Sequence, residues 1–188
     1  MEVVLVRHGE TEWSRDGRHT GLIDVPLTDG GRAQAERLRE GLREWSLTRV
    51  LASPLERAVE TCRLAGLGDR AEPTAALLEW DYGEYEGLTT AQIRELRPGW
   101  NLWRDGCPGG ESAADVGARV DPLVDELKES EGDVALFAHG HVLRILAARW
   151  VELPPEAGAL FWLATATLSA LGFERETAVM RRWNAPVE

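Results

Sequence analysis

Residues 3–6, Val-Val-Leu-Val, run without a break into Arg7-His8-Gly9-Glu10. A short β-branched and aliphatic run of this kind is the pattern of a buried strand. The strand ends on a fixed cation and an imidazole, and in open α/β sheets ligands bind at the carboxyl ends of the strands. A guanidinium beside an imidazole repels a metal cation and suits a phosphate oxyanion.

The chain has 188 residues, enough for one domain over 1–188. Its formal net charge of -11 argues against nucleic acid and acidic membranes as partners. In so acidic a chain, arginines gathered near His8 would focus anions. Apolar stretches are far shorter than the roughly 20 residues of a membrane helix. The start, an acidic residue leading into the first strand, does not resemble a signal peptide, so a cytoplasmic location is expected. Cys62 and Cys107 are expected as free thiols, Cys62 on a helix face as a small buried group.

Strand-like and helix-like segments alternate, which predicts a three-layer α/β/α sandwich with a mostly parallel central sheet. Strands are expected over 2–6, 49–52, 75–79 and 133–138, with a closing hairpin of 165–173 and 178–183 through Glu174-Arg175-Glu176. Thr28 caps a helix over 29–45 whose buried face is Ala35, Leu38, Leu42 and Trp45. Ser53-Pro54 is expected to open the next helix, with serine at the cap and proline first. Further helices are expected over 89–96, 112–129 with Ser112 and Asp115 in capping-box spacing, and 142–150. The Gly30-Gly31 and Gly109-Gly110 pairs read as turn punctuation.

Three of these strands end on residues suited to phosphate: Arg7-His8-Gly9, Ser53-Pro54-Leu55-Glu56-Arg57 and His139-Gly140-His141. Glu79 closes the apolar run 75–78. If the strands run parallel, two imidazoles, two guanidiniums and a carboxylate meet at one edge, where helix N-termini add N–H donors. Such a set fits phosphoryl transfer through a covalent histidine, which splits a very slow displacement into two easier steps. Neighbouring positive charge should depress the imidazole pKa and keep a ring nitrogen of His8 free to attack.

The motifs resemble those of the histidine phosphatase superfamily, the phosphoglycerate-mutase-like proteins, and most closely its acid-phosphatase-like branch. The resemblance rests on Arg7-His8-Gly9-Glu10-Thr11, Gly17-Arg18-His19-Thr20-Gly21, Ser53-Pro54-Leu55-Glu56-Arg57-Ala58, the segment 78–87, Gly109-Gly110-Glu111-Ser112 and Ala138-His139-Gly140, and covers roughly residues 1–150. It implies His8 as the phosphorylated nucleophile, with Arg7, Arg57, His139 and Gly140 around the transferring phosphoryl group. Glu79 would be the proton donor and later the base. Thr20, Gly21 and Tyr82 match substrate-contact positions. Ser14 stands where the family usually has asparagine, and its hydroxyl reaches less far. His141 likewise replaces an asparagine common in the mutases.

The resemblance also implies a small phosphate ester as substrate, with no metal and no cofactor. Mutases carry a longer basic insertion between the regions of Glu79 and His139. Here only residues 83–110 separate Tyr82 from Glu111, with Arg94, Arg97 and Arg104 as the fixed cations. That shortness favours a phosphatase. The alternatives are a phosphoglycerate mutase using a bisphosphate primer, and a catalytically silent phosphate- or phosphoprotein-binding module. His139-x-His141 has a spacing that zinc could use, but zinc needs further ligands. Trp13, Trp80, Trp100, Trp103 and Trp162 are expected in the core or at a subunit interface, which leaves a homodimer open.

Overall fold

A computed structural model describes residues 1–187. In chain order the elements are β1 (Val3–Arg7), α1 (Glu12–Arg15), α2 (Asp29–Gly41), β2 (Leu47–Ala52), α3 (Glu56–Leu64) and β3 (Ala71–Pro73). There follow α4 (Thr90–Leu96), α5 (Leu102–Asp105), α6 (Ala113–Lys128), β4 (Asp133–Ala138), α7 (Gly140–Trp150), β5 (Leu168–Glu174) and β6 (Thr177–Ala185). The six strands form one sheet in the order β3-β2-β4-β1-β5-β6. The four strands from β3 to β1 run parallel, and β5 and β6 are antiparallel additions.

The side-chain period of a strand splits the core in two. Val3 and Leu5 of β1 and Leu136 of β4 pack with α6, α7 and the Trp80–Trp100 region. Val4, Val6, Ala135 and Phe137 face the layer of α2 and α3, through Leu38 and Cys62. Both faces of β1 are therefore covered, which is why Val3–Val6 are all aliphatic.

Thr28 caps α2, its hydroxyl accepting from Gly31 N at 2.9 Å. α2 stops at Gly41, and a single 3-10 turn replaces its expected last turn. Ser112 and Asp115 form the expected capping box of α6. β5 and β6 close as the hairpin foreseen through residues 174–176.

Two expectations fail. Ser53 does not cap a helix: α3 begins at Glu56, and its N-cap Leu55 has no side chain to contribute. The Ser53 main chain instead extends the sheet ladder, donating to Phe137 O at 2.9 Å. Its hydroxyl pairs with His139 Nε2 at 2.7 Å and so is occupied. Nor is 75–79 a strand. Ala75–Leu77 is a 3-10 turn started by Thr74, whose hydroxyl accepts from Ala76 N. The edge strand lies earlier, at β3. An apolar run of this length buries itself equally well as a turn when Leu77 can sit under the α6–α7 layer.

Among the described residues no helix is long and apolar enough to cross a membrane.

Candidate active site

β2, β4 and β1 are neighbours, so Ser53, His139 and His8 arrive together at their carboxyl ends. His8 N still bonds Ala138 O at 3.0 Å, which fixes the backbone of the residue just past the strand. The His8 Nδ1 lies 2.7 Å from Gly9 O. A carbonyl only accepts, so Nδ1 carries the ring proton and Nε2 keeps its lone pair. Burial, then the charges of Arg57 and Arg7, push the His8 pKa well below its ordinary value, against a smaller opposing effect of the Gly9 carbonyl. The turn after His8 is packed backbone to backbone. A Cβ on Gly9 would fall 2.3 Å from Gly31 O, and one on Gly31 would fall 2.0 Å from Glu10 O. Gly31 is therefore a site of close approach inside α2 rather than turn punctuation.

Arg7 lies on the wall of a cavity of about 180 Å³ together with His8 and Glu79. Its Nη1 donates to Leu163 O at 2.5 Å, while its buried Nε has no protein partner. Burial lowers its pKa, and the charge of Glu79 opposes that shift. A buried cationic N–H left without an acceptor is costly, and an entering oxyanion would satisfy it.

Arg57 and His139 sit behind His8 rather than on the cavity wall. Arg57 is completely buried. Its Nε donates to His139 Nδ1 at 3.0 Å, and its Nη atoms donate to the carbonyls of Ile23, Thr20 and Gly21. His139 Nε2 is then the protonated nitrogen and donates to Ser53 Oγ. The His8 and His139 ring centroids are 5.3 Å apart. The rings of the His139-x-His141 pair turn to different partners, since His141 Nδ1 pairs with the Tyr82 hydroxyl.

Glu79 reaches the cavity from a loop. Its carboxylate sits over the first turn of α7, with Oε2 accepting from His141 N at 3.0 Å. Oε1 accepts from Val142 N at 2.9 Å and Trp80 N at 3.0 Å. The loop that carries it is held by Arg119 of α6. That guanidinium donates to the carbonyls of Ala76, Leu78 and Glu79 and pairs with Glu111 at 2.9 Å. Arg119 thus does for this segment what sheet partners would have done. Its position in the middle of a helix gave no sequence signal for that work.

The remaining expected contacts divide. Thr20, Tyr82 and Gly140 line the cavity, as does Ser14. The Ser14 hydroxyl, however, donates to Thr11 O and accepts from Thr11 N in the capping box of α1. Gly21 is buried off the wall, its N–H donated to Glu86 Oε1 at 2.7 Å. The wall also holds Arg18, Arg144 and Trp162, which were not expected there, and His141, which the strand-end motif had already brought to this edge. Trp162 is 69% exposed and so lies outside the core. Arg144 could have been found, because it lies three residues past His141 and shares its helix face. By contrast Trp80 and Trp100 are fully buried, as expected.

The family model for the histidine phosphatase superfamily (branch 1) matches residues 3–186. An acid phosphatase from Mycobacterium tuberculosis is 48% identical over 185 residues, covering 95% of this chain and 91% of the relative. A sedoheptulose 1,7-bisphosphatase from Saccharomyces cerevisiae is 38% identical over 182 residues, covering 80% of this chain and 67% of the relative. The solved structure of an open reading frame from Mycobacterium tuberculosis superposes with a TM-score of 0.94 at 44% identity, covering 100% of this chain and 98% of that one.

Proposed function

The chain belongs to the histidine phosphatase superfamily (branch 1), and on that footing we propose that it hydrolyses small phosphate monoesters through a phosphohistidine formed on His8. One observation carries the reading: His8, whose Nε2 is unprotonated, lines the same cavity as Arg7, whose buried Nε–H has no protein partner. A nucleophile without a proton and a cation without an acceptor together fit a phosphoryl group.

In the first step a bond forms from His8 Nε2 to phosphorus and the bond to the ester oxygen breaks. Glu79 gives the leaving oxygen its proton. In the second, water attacks phosphorus, passes a proton to Glu79 and releases inorganic phosphate from His8. Arg7 compensates the charge on the non-bridging oxygens. Arg57 adds positive charge from behind His139, and either would touch the phosphoryl group only by releasing its present partner. Thr20 and the Gly140 end of α7 face the bound ester, Ser14 and Tyr82 line the wall with their hydroxyls already paired, and Gly21 lies behind it.

Hydrolysis is favoured over isomerisation by the segment between Tyr82 and Glu111. Arg94 is bonded to Trp100 O, and Arg97 and Arg104 are paired with Asp105, so this stretch brings no cation to the cavity. We read the chain as one catalytic domain, because the sheet draws strands from both ends of the sequence. The buried, unpaired thiols of Cys62 and Cys107 fit a reducing cytoplasmic compartment. The net charge of -11 fits a small-molecule partner rather than nucleic acid.

The test is phosphate release from phenyl phosphate in the presence of EDTA. Turnover is expected to persist with the chelator and to vanish in His8→Ala. Rapid quenching with a ³²P-labelled ester should trap acid-labile, base-stable label on the wild-type chain. Wild-type rates in His8→Ala, or loss of activity to EDTA, would overturn the reading.

A further inference from the structure

His141 has no assigned part in the chemistry above, yet it stands beside the group that protonates the leaving oxygen. Its main-chain N–H holds Glu79 Oε2, and its ring Nδ1 lies 3.9 Å from the same oxygen. Trp103 and Tyr82 meet the ring edge-on at 5.3 and 5.9 Å, and these aromatic neighbours fix its plane. Tyr82 Oη is 2.5 Å from His141 Nδ1.

The direction of that bond follows from burial. Tyr82 is 1% exposed, and its hydroxyl has no other acceptor among the described residues. If Nδ1 carried the proton, the phenolic proton would be buried with nothing to bond. The hydroxyl therefore donates to Nδ1, and the ring proton sits on Nε2. Burial, with Arg144, His19 and Arg7 nearby, lowers the ring pKa well below its ordinary value, so the ring is neutral. Nε2 has no protein partner, and the side chain, 22% exposed, opens onto the cavity.

We propose that His141 is a specificity-determining donor, its Nε2–H bonding a hydroxyl or carbonyl oxygen of the leaving group next to the ester oxygen. The proposal rests on the phosphatase reading and deepens it. The site then prefers esters of polyols and hydroxy acids over aryl esters, which offer no acceptor at that place. Tyr82 acts through His141 and is a positioning residue, because its hydroxyl is already committed.

Two measurements test this. Relative kcat/KM for glycerol 3-phosphate against phenyl phosphate should fall about five- to tenfold in His141→Ala, the loss of one neutral hydrogen bond. It should fall similarly in His141→Asn, whose amide ends near the Nδ1 position, and recover in His141→Gln, whose amide nitrogen reaches the Nε2 position. Equal effects on both esters, or none, would overturn the proposal. The second measurement needs no turnover. In ¹⁵N-histidine NMR, His141 should be the Nε2–H tautomer, and Tyr82→Phe should release that preference. An Nδ1–H tautomer in the wild-type chain would sink the proposal and leave phosphatase activity on phenyl phosphate untouched.

Discussion

Arg7 gives the sharpest expectation at the scale of single residues. Its Nη1 is spent on Leu163 O and its buried Nε has no protein partner, a division of labour that needs the guanidinium fork. Lysine would bring one point charge and could not serve both partners. Arg7→Lys should therefore keep the fold, judged by its circular dichroism, and lower kcat/KM for phenyl phosphate by about 10²–10³. His8 makes a second prediction. Followed by NMR, its ring should still be neutral at pH 6, because burial and the two arginines hold its pKa down. A midpoint at or above 6.5 would contradict the arrangement. Both residues were legible in the sequence because a strand end places them regardless of tertiary detail. Ser14 and Tyr82 were legible as positions only. What their hydroxyls do depends on a capping box and on His141, which no local pattern reveals.

Elements show where tertiary forces overrode local signals. Ser53-Pro54 has the composition of a helix start, yet the third strand end needed that hydroxyl for His139. The apolar run ending at Glu79 has the composition of a strand, yet Arg119 reaches across from α6 and binds its carbonyls. Arg119→Met should therefore lower kcat by about tenfold or more with little change in KM, since Glu79 would lose its fixed approach while the phosphate wall stays intact. Equal loss in kcat and KM would point to a general disturbance instead. The contact of α2 with the catalytic turn admits no side chain. Gly31→Ala should cost about 1–3 kcal/mol in urea unfolding, as other overpacked sites do. Helices with strong local caps, such as α2 and α6, matched the sequence to within a turn because the cap fixes one end on its own.

For the whole molecule, the layer order and the parallel core were legible from alternating patterns, and the position of the antiparallel β5 beside β1 was not. The fold also stores a pH dependence. An unfolded histidine takes up a proton below about pH 6.5. In the native state His8, His139 and His141 do so only at lower pH because they are buried, and burial pushes His19 down to about 4. Below pH 6.5 the unfolded chain then holds more protons than the native one. Stability falls as pH falls, by about 1.4 kcal/mol per pH unit for each such histidine. Urea midpoints measured from pH 7.5 to 5 should decline steeply below 6.5, and a flat profile would refute this.

The bond from Arg7 to Leu163, together with Ala166 N on Arg7 O, ties β1 to a segment more than 150 residues further along the chain. A nascent chain that has just released residue 150 already owns His8, Arg57, Glu79 and His139. It still lacks the clamp that aims Arg7. A polypeptide cut short before Leu163 keeps those four side chains without the clamp, and it is expected to release no phosphate from phenyl phosphate.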